Sequence, residues 1–226
     1  MLKQFLLFLF IIGGLFLTSC NGQISDVEEV DLSEVEAVFE KNFRYGELPT
    51  SNYIDAYDAQ IYSGAPSTNY NSNIYISLGR STVYVYRALF VFYINNYFAT
   101  PVKIKKAYLT LDQGSGSYAG SGFTVDIHKM TDSWTEGLAT WNYITTDKYE
   151  STPSGSCNIT YTDHGTFSVE LPAGLVQQWL DDPVNNNGVL LKSSDETIAN
   201  RYVEFYERGV SITSRKPLLT IYYTLP

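Results

Sequence analysis

Ile104-Lys105-Lys106-Ala107-Tyr108-Leu109-Thr110-Leu111 alternates: Leu109 and Leu111 fall on one side of an extended chain, with Tyr108 and Thr110 on the other. Successive side chains of a strand point to opposite faces, so the stretch reads as a strand with one buried face. Just before it, Ala88-Leu89-Phe90-Val91-Phe92-Tyr93-Ile94 is apolar on both faces, as expected of a strand central to two packed sheets. Working outward, β-like runs bounded by Gly, Pro, Asn or Ser recur at 54–62, 74–78, 84–94, 104–112, 123–129, 158–161, 166–171, 188–193, 202–207 and 218–223. One helical turn interrupts them at 172–180, where a proline starts the segment and Leu175, Val176, Trp179 and Leu180 share one side. Many short strands with one short capping helix predict an all-β fold, a jelly-roll β-sandwich, over residues 51–226. The Gly/Ser-rich run 114–122 reads as a hairpin loop inside that domain.

Between two of these runs lies His128-Lys129-Met130-Thr131-Asp132-Ser133-Trp134-Thr135-Glu136-Gly137-Leu138-Ala139-Thr140-Trp141. Gly137 breaks any helix there. Two tryptophans in a short irregular segment predict a plug folded over the end of the sandwich, because a buried indole fills volume and needs one partner for its N–H. Glu136, Thr131 or Thr140 is the expected partner. The motif reads as a structural corner before it reads as an active site.

The chain has 226 residues and a formal net charge of −9. That acidic balance, without a basic stripe or a Gly-rich phosphate loop, argues against nucleic acid as a partner. Residues 1–19 read as a signal peptide: Lys3, then an apolar run that is too short for a comfortable span. The run ends in Leu17-Thr18-Ser19-Cys20, which looks like the lipobox of bacterial lipoproteins. Lipidation at Cys20 would hold the protein to a membrane, in an extracytoplasmic or cell-surface location. With Cys20 lipidated, Cys157 has no intrachain partner. Residues 20–50 read as an acidic, partly helical tether. Its apolar residues Val27, Val30, Val35, Val38 and Phe39 sit at helix-like intervals, and Glu40 and Arg44 are spaced for an i,i+4 pair. The alternative is that Val35, Phe39 and Phe43 dock on the domain.

Nothing in the chain demands catalysis. His128 falls within a strand and His164 in a turn, and no serine sits in a nucleophile elbow. Asp181 with Asp182, or Glu204 with Glu207, offers carboxylate pairs, but acidic turns are usually just solvated. No cofactor is called for. A structural calcium would find oxygen ligands at Asn69, Asn71 and Asn73 or at Asp181 with Asn185, in turns that Asn also favours for backbone reasons. The positive clue is aromatic: 19 tyrosines against 12 phenylalanines, rings with a polar tip that suit stacking on sugars. Tyr53, Tyr57, Tyr62, Tyr84, Tyr86, Tyr93 and Tyr206 are spread over several strands.

An ordered set of pieces over about 57–223 resembles the DNRLRE domain, grouped with carbohydrate-binding module family 96. It runs Asp58-Ala59-Gln60-Ile61-Tyr62, Pro66 to Tyr70, Ile74 to Gly79, the arginine-led Arg87-Ala88-Leu89-Phe90-Val91-Phe92, and the alternating strand quoted first. It continues with Thr131, Trp134, Glu136, Thr140 and Trp141, then Val176 and Trp179. Asn186-Asn187-Gly188-Val189-Leu190-Leu191, Phe205 with Glu207, and Arg215 with Pro217 complete it. The resemblance implies a jelly-roll module of secreted and surface proteins that binds polysaccharide without cleaving it. Carried onto this sequence, the implied ligand surface includes Tyr62, Tyr70, Arg80, Arg87 and Tyr206. Arg87 has a second reading, as a buried partner of Glu207. Two departures stand out. Residues 54–94 hold only two basic residues, Arg80 and Arg87, where family members credited with acidic ligands look basic, and Asn71 replaces a usual glycine. A neutral or weakly acidic glycan is therefore the expected ligand. The alternative is an envelope structural or protein-interaction domain without a glycan ligand.

Overall fold

A computed structural model describes residues 36–114, 122–161 and 165–226. The signal peptide, Cys20, most of the tether, the inner part of the Gly/Ser run and His164 lie outside the described residues.

Among the described residues, eleven strands form two antiparallel sheets. The smaller sheet has the order β1-β11-β5-β8, built from β1 (Phe39–Phe43), β11 (Leu218–Thr224), β5 (Lys103–Asp112) and β8 (Thr166–Leu171). The larger runs β10-β3-β4-β9-β6-β7, from β10 (Arg201–Tyr206), β3 (Tyr75–Arg80), β4 (Val85–Phe92), β9 (Val189–Ser193), β6 (Phe123–Lys129) and β7 (Gly155–Ile159). β2 (Ala56–Tyr62) pairs with β4 as well. Inner-face residues of both sheets close on one core: Ala107, Leu109 and Leu111 of β5 face Ala88, Phe90 and Phe92 of β4 and Val125 and Ile127 of β6. The expected jelly-roll-like β-sandwich is the fold observed. Helix α1 (Ala173–Asp181) caps the core with Leu175, Val176 and Trp179, while Gln177 accepts the Ile104 N–H at 2.8 Å.

The tether expectation fails over its second half, from Glu36 onward. Phe39–Phe43 is not helical; it pairs along β11 from Phe39↔Tyr223 to Phe43↔Leu219. Phe43 is fully buried against the rings of Tyr53, Tyr97 and Phe98. Arg44 pairs with Glu47 at 2.8 Å rather than with Glu40. The domain therefore includes residues 36–50, because β1 satisfies the backbone of β11, which would otherwise be an open edge.

The second correction concerns the plug. Residues 130–150 run back across the outer face of the larger sheet instead of over the sandwich's end. This strap is closed at its base by the Met130↔Tyr149 bridge. Met130, Trp134, Ala139, Ile144 and Tyr149 pack on Ala59, Ile61, Leu89, Val91 and Leu190, the outward residues of β2, β4 and β9. This explains why 88–94 is apolar on both faces: one side meets the sandwich core, the other the strap.

Candidate functional site

The register of the larger sheet lines up Tyr62 of β2, Tyr86 of β4, Gly79 of β3 and Tyr202 of β10 as directly opposed neighbours. Directly opposed residues of a sheet share a face, so three tyrosines and one glycine form a row across four strands. Tyr62 and Tyr86 stack, with centroids 4.8 Å apart and planes 9° from parallel. Beyond Gly79 the Tyr86 and Tyr202 rings come within 6.1 Å. Gly79 has φ +111°, and a Cβ there would lie 2.2 Å from the Arg201 carbonyl oxygen, so only glycine fits at this point of the row. Tyr70 and Tyr84 add their rings edge-on to Tyr62, at 5.7 and 5.3 Å. Four of the five are partly accessible, and Tyr84 is 42% exposed. Desolvation first, then Tyr86 and Tyr84, raise the Tyr62 hydroxyl above the usual phenol range, so it stays a neutral donor and acceptor.

The structure thus joins two expected ligand residues, Tyr62 and Tyr70, and places the other three outside their cluster. Arg87 forks onto Glu196, with Nε to Oε1 at 2.8 Å and Nη2 to Oε2 at 2.9 Å, and lies 4.4 Å over the Trp141 ring. Its partner is Glu196, not Glu207, whose carboxylate accepts the Gly209 N–H at 2.7 Å. Arg80 donates to the Glu196 carbonyl at 2.8 Å. Both arginines hold the turn before β10, and the Arg87 fork is filled by the Glu196 carboxylate. Tyr206 lies at the far end of the β3–β10 pair, against Tyr75 and under Arg215. Four strand steps separate it from Tyr202, roughly 13 Å.

Sequence reading missed Tyr202 altogether and left Tyr84 and Tyr86 among scattered tyrosines. Tyr84 and Tyr86 are two apart, which hinted at a shared face. Tyr202 carries no local signal, because its neighbours come from register with strands more than a hundred residues away.

The Trp/Glu motif packs into the strap with partners other than those expected. Trp134 donates to the Asn187 carbonyl at 2.9 Å and is 7% exposed. Thr131 donates to the Asp147 carbonyl at 3.2 Å, and Thr140 accepts the Tyr143 N–H at 3.2 Å, so both fold the strap on itself. Trp141 is half-buried, and Trp179 belongs to the sandwich core. Glu136 is gripped by both Nε and Nη2 of Arg208 and accepts the Asp58 N–H at 3.2 Å. Asp58, 5% exposed, accepts the Arg208 N–H at 2.8 Å, and the Arg208 guanidinium lies 4.4 Å over the Tyr45 ring. Burial, then the charge of Glu207, pushes the Asp58 carboxyl well above the usual range. Asn69 donates from its amide to the Glu136 and Ala139 carbonyls, so it too fastens the strap. Asn185 donates to Asp182 at 2.7 Å.

No family model matches this chain, and no curated protein is found similar to it.

Proposed function

We propose that this protein is a non-catalytic carbohydrate-binding module, attached to a membrane through lipid on Cys20. The observation that carries the binding reading is the accessible tyrosine cluster Tyr62–Tyr70–Tyr84–Tyr86–Tyr202 on a rigid four-strand base. Aromatic faces stack on the apolar faces of sugar rings while phenol hydroxyls exchange hydrogen bonds with sugar hydroxyls. One face of Tyr62 is covered by Tyr86, so Tyr62 braces the cluster and the more exposed Tyr84 offers contact. The nearby carboxylate Glu196 is held by Arg87, an arrangement that serves binding better than acid–base hydrolysis. A shallow stacking site of this kind gives weak affinity, about 10⁻⁴ to 10⁻⁵ M.

The test is calorimetry on the full chain, in a sugar-free zwitterionic detergent, against neutral and uronic polysaccharides. Binding to at least one neutral glycan, lost in Tyr84→Ala, is expected. Fatty-acid labelling abolished by Cys20→Ser checks the anchor. A second reading, a protein-interaction domain of the envelope, is favoured by Val83 and Ile198, which lie 59% and 37% exposed on the turns beside the cluster. Those turns touch through the Asn200 N–H and the Ser81 carbonyl. Absence of binding to every glycan would select that reading.

A further inference from the structure

The starts of β6 and β10 and the ends of β7 and β9 border a cleft of about 480 Å³. That is within the roughly 300–1,000 Å³ range of small-molecule sites. Thr124, Asn158, Thr160, Ser194 and Arg201 line it, around the ring of Phe123. Strand pairing fixes these groups: Thr124 stands opposite Asn158, and Val125 opposite Ser193. Arg201 and Tyr202 are consecutive on β10 and so point to opposite faces. Gly79, in the middle of the tyrosine row, lies against Phe123 and the Arg201 carbonyl, so the cleft and the row are neighbours along β10, with no lining residue in common.

Its lining mixes donors and acceptors without excess charge. Thr124 donates to the Asn158 side-chain oxygen at 2.8 Å, which orients the amide and leaves its two N–H donors. The Ser194 hydroxyl donates to the Thr124 carbonyl at 3.2 Å and keeps its lone pairs as acceptors. Arg201 is balanced by Asp195, which also lines the cleft and is fixed by the Thr197 N–H and hydroxyl at 2.9 and 2.6 Å. An acid would have no surplus cation to meet here. A polyhydroxylated ring matches these hydroxyl and amide groups, while Phe123, 6% exposed in the sandwich core, closes the floor of the cleft without offering a stacking face.

We propose that this cleft is a second ligand site, taking a single neutral sugar residue such as the end of a glycan chain. It does not depend on the tyrosine row: either site stands without the other. The experiment is amide chemical-shift mapping of the full chain in a sugar-free zwitterionic detergent. The titrants are D-glucose, D-galactose, D-mannose and D-xylose, with D-glucuronate and D-galacturonate as the acidic arm. The expected result is saturable shifts at Thr124, Asn158, Thr160 and Ser194 with at least one neutral sugar. The apparent Kd should rise up to about tenfold in Asn158→Ala, by loss of hydrogen bonds. Thr160→Trp, which fills the cleft from an exposed position, should abolish the shifts, and Tyr84→Ala should leave them unchanged. Shifts confined to the Tyr62–Tyr86–Tyr202 surface would overturn the cleft proposal while supporting the tyrosine row. No saturable shift with any neutral sugar, or tighter binding of a uronate, would also overturn it.

Discussion

Trp134 and Trp141 belong to one motif but do different physical jobs. Trp134 fills the space between strap and sheet with its N–H satisfied, so truncation leaves a cavity and an unpaired Asn187 carbonyl. Trp134→Ala should cost about 3–5 kcal/mol. Trp141 is half-open and mainly shields the Arg87 guanidinium, so Trp141→Ala should cost about 1–2 kcal/mol. Urea melts of the two variants check this, and equal losses would refute it. Asp58 carries the pH dependence. Burial raises Asp58 and, with it, Glu207. The folded state keeps protons that the unfolded chain releases above about pH 4. Their stabilising contribution is full below that pH and is lost as pH rises through the raised folded values. Asp58→Asn keeps an acceptor for the Arg208 N–H without this burden. Its melting temperature relative to the native chain should therefore climb between about pH 4 and pH 8. Parallel pH curves for the two proteins would refute the argument.

At the scale of elements, ten of the eleven strands and the helix were legible in the sequence, because alternation and turn residues are local. β1 was not. Val35, Val38 and Phe39 fit a helical spacing, and the partner that makes 39–43 extended is β11, about 180 residues on. Local pattern cannot report a non-local ladder. The strap's burial was legible from its two tryptophans, but not its place, since only pairing reveals which outer face is free. β1 also sets the domain's start. A chain beginning at Ser51 should melt well below one beginning at Glu36, because it loses the buried Phe43 ring and exposes the β11 edge. Loss of Phe43 alone is worth about 3–5 kcal/mol. Equal melting temperatures for the two chains would return 36–50 to the tether.

The whole molecule is asymmetric about its core. The larger sheet is covered on its outer face by the strap, while the smaller one carries partly exposed Tyr108, Thr110, Thr220 and Tyr222 outward. The tyrosine cluster lies where the larger sheet's register brings β2, β4, β3 and β10 together. Two of its five rings, Tyr62 and Tyr70, could be read from the sequence as ligand residues. The rest could not, because side chains meeting across four strands share no spacing in the chain. Arg87 ties the two outer loops of this sheet to each other: its ring partner is Trp141 on the strap, and its ion partner is Glu196 on the turn before β10. Mutational drift in either loop is therefore not free of the other. Loss of Glu196 strands a cation that Trp141 keeps half dry, so a later loss of Trp141, by readmitting water, is milder than it would have been first. The two loops share one epistatic account, held at a single guanidinium.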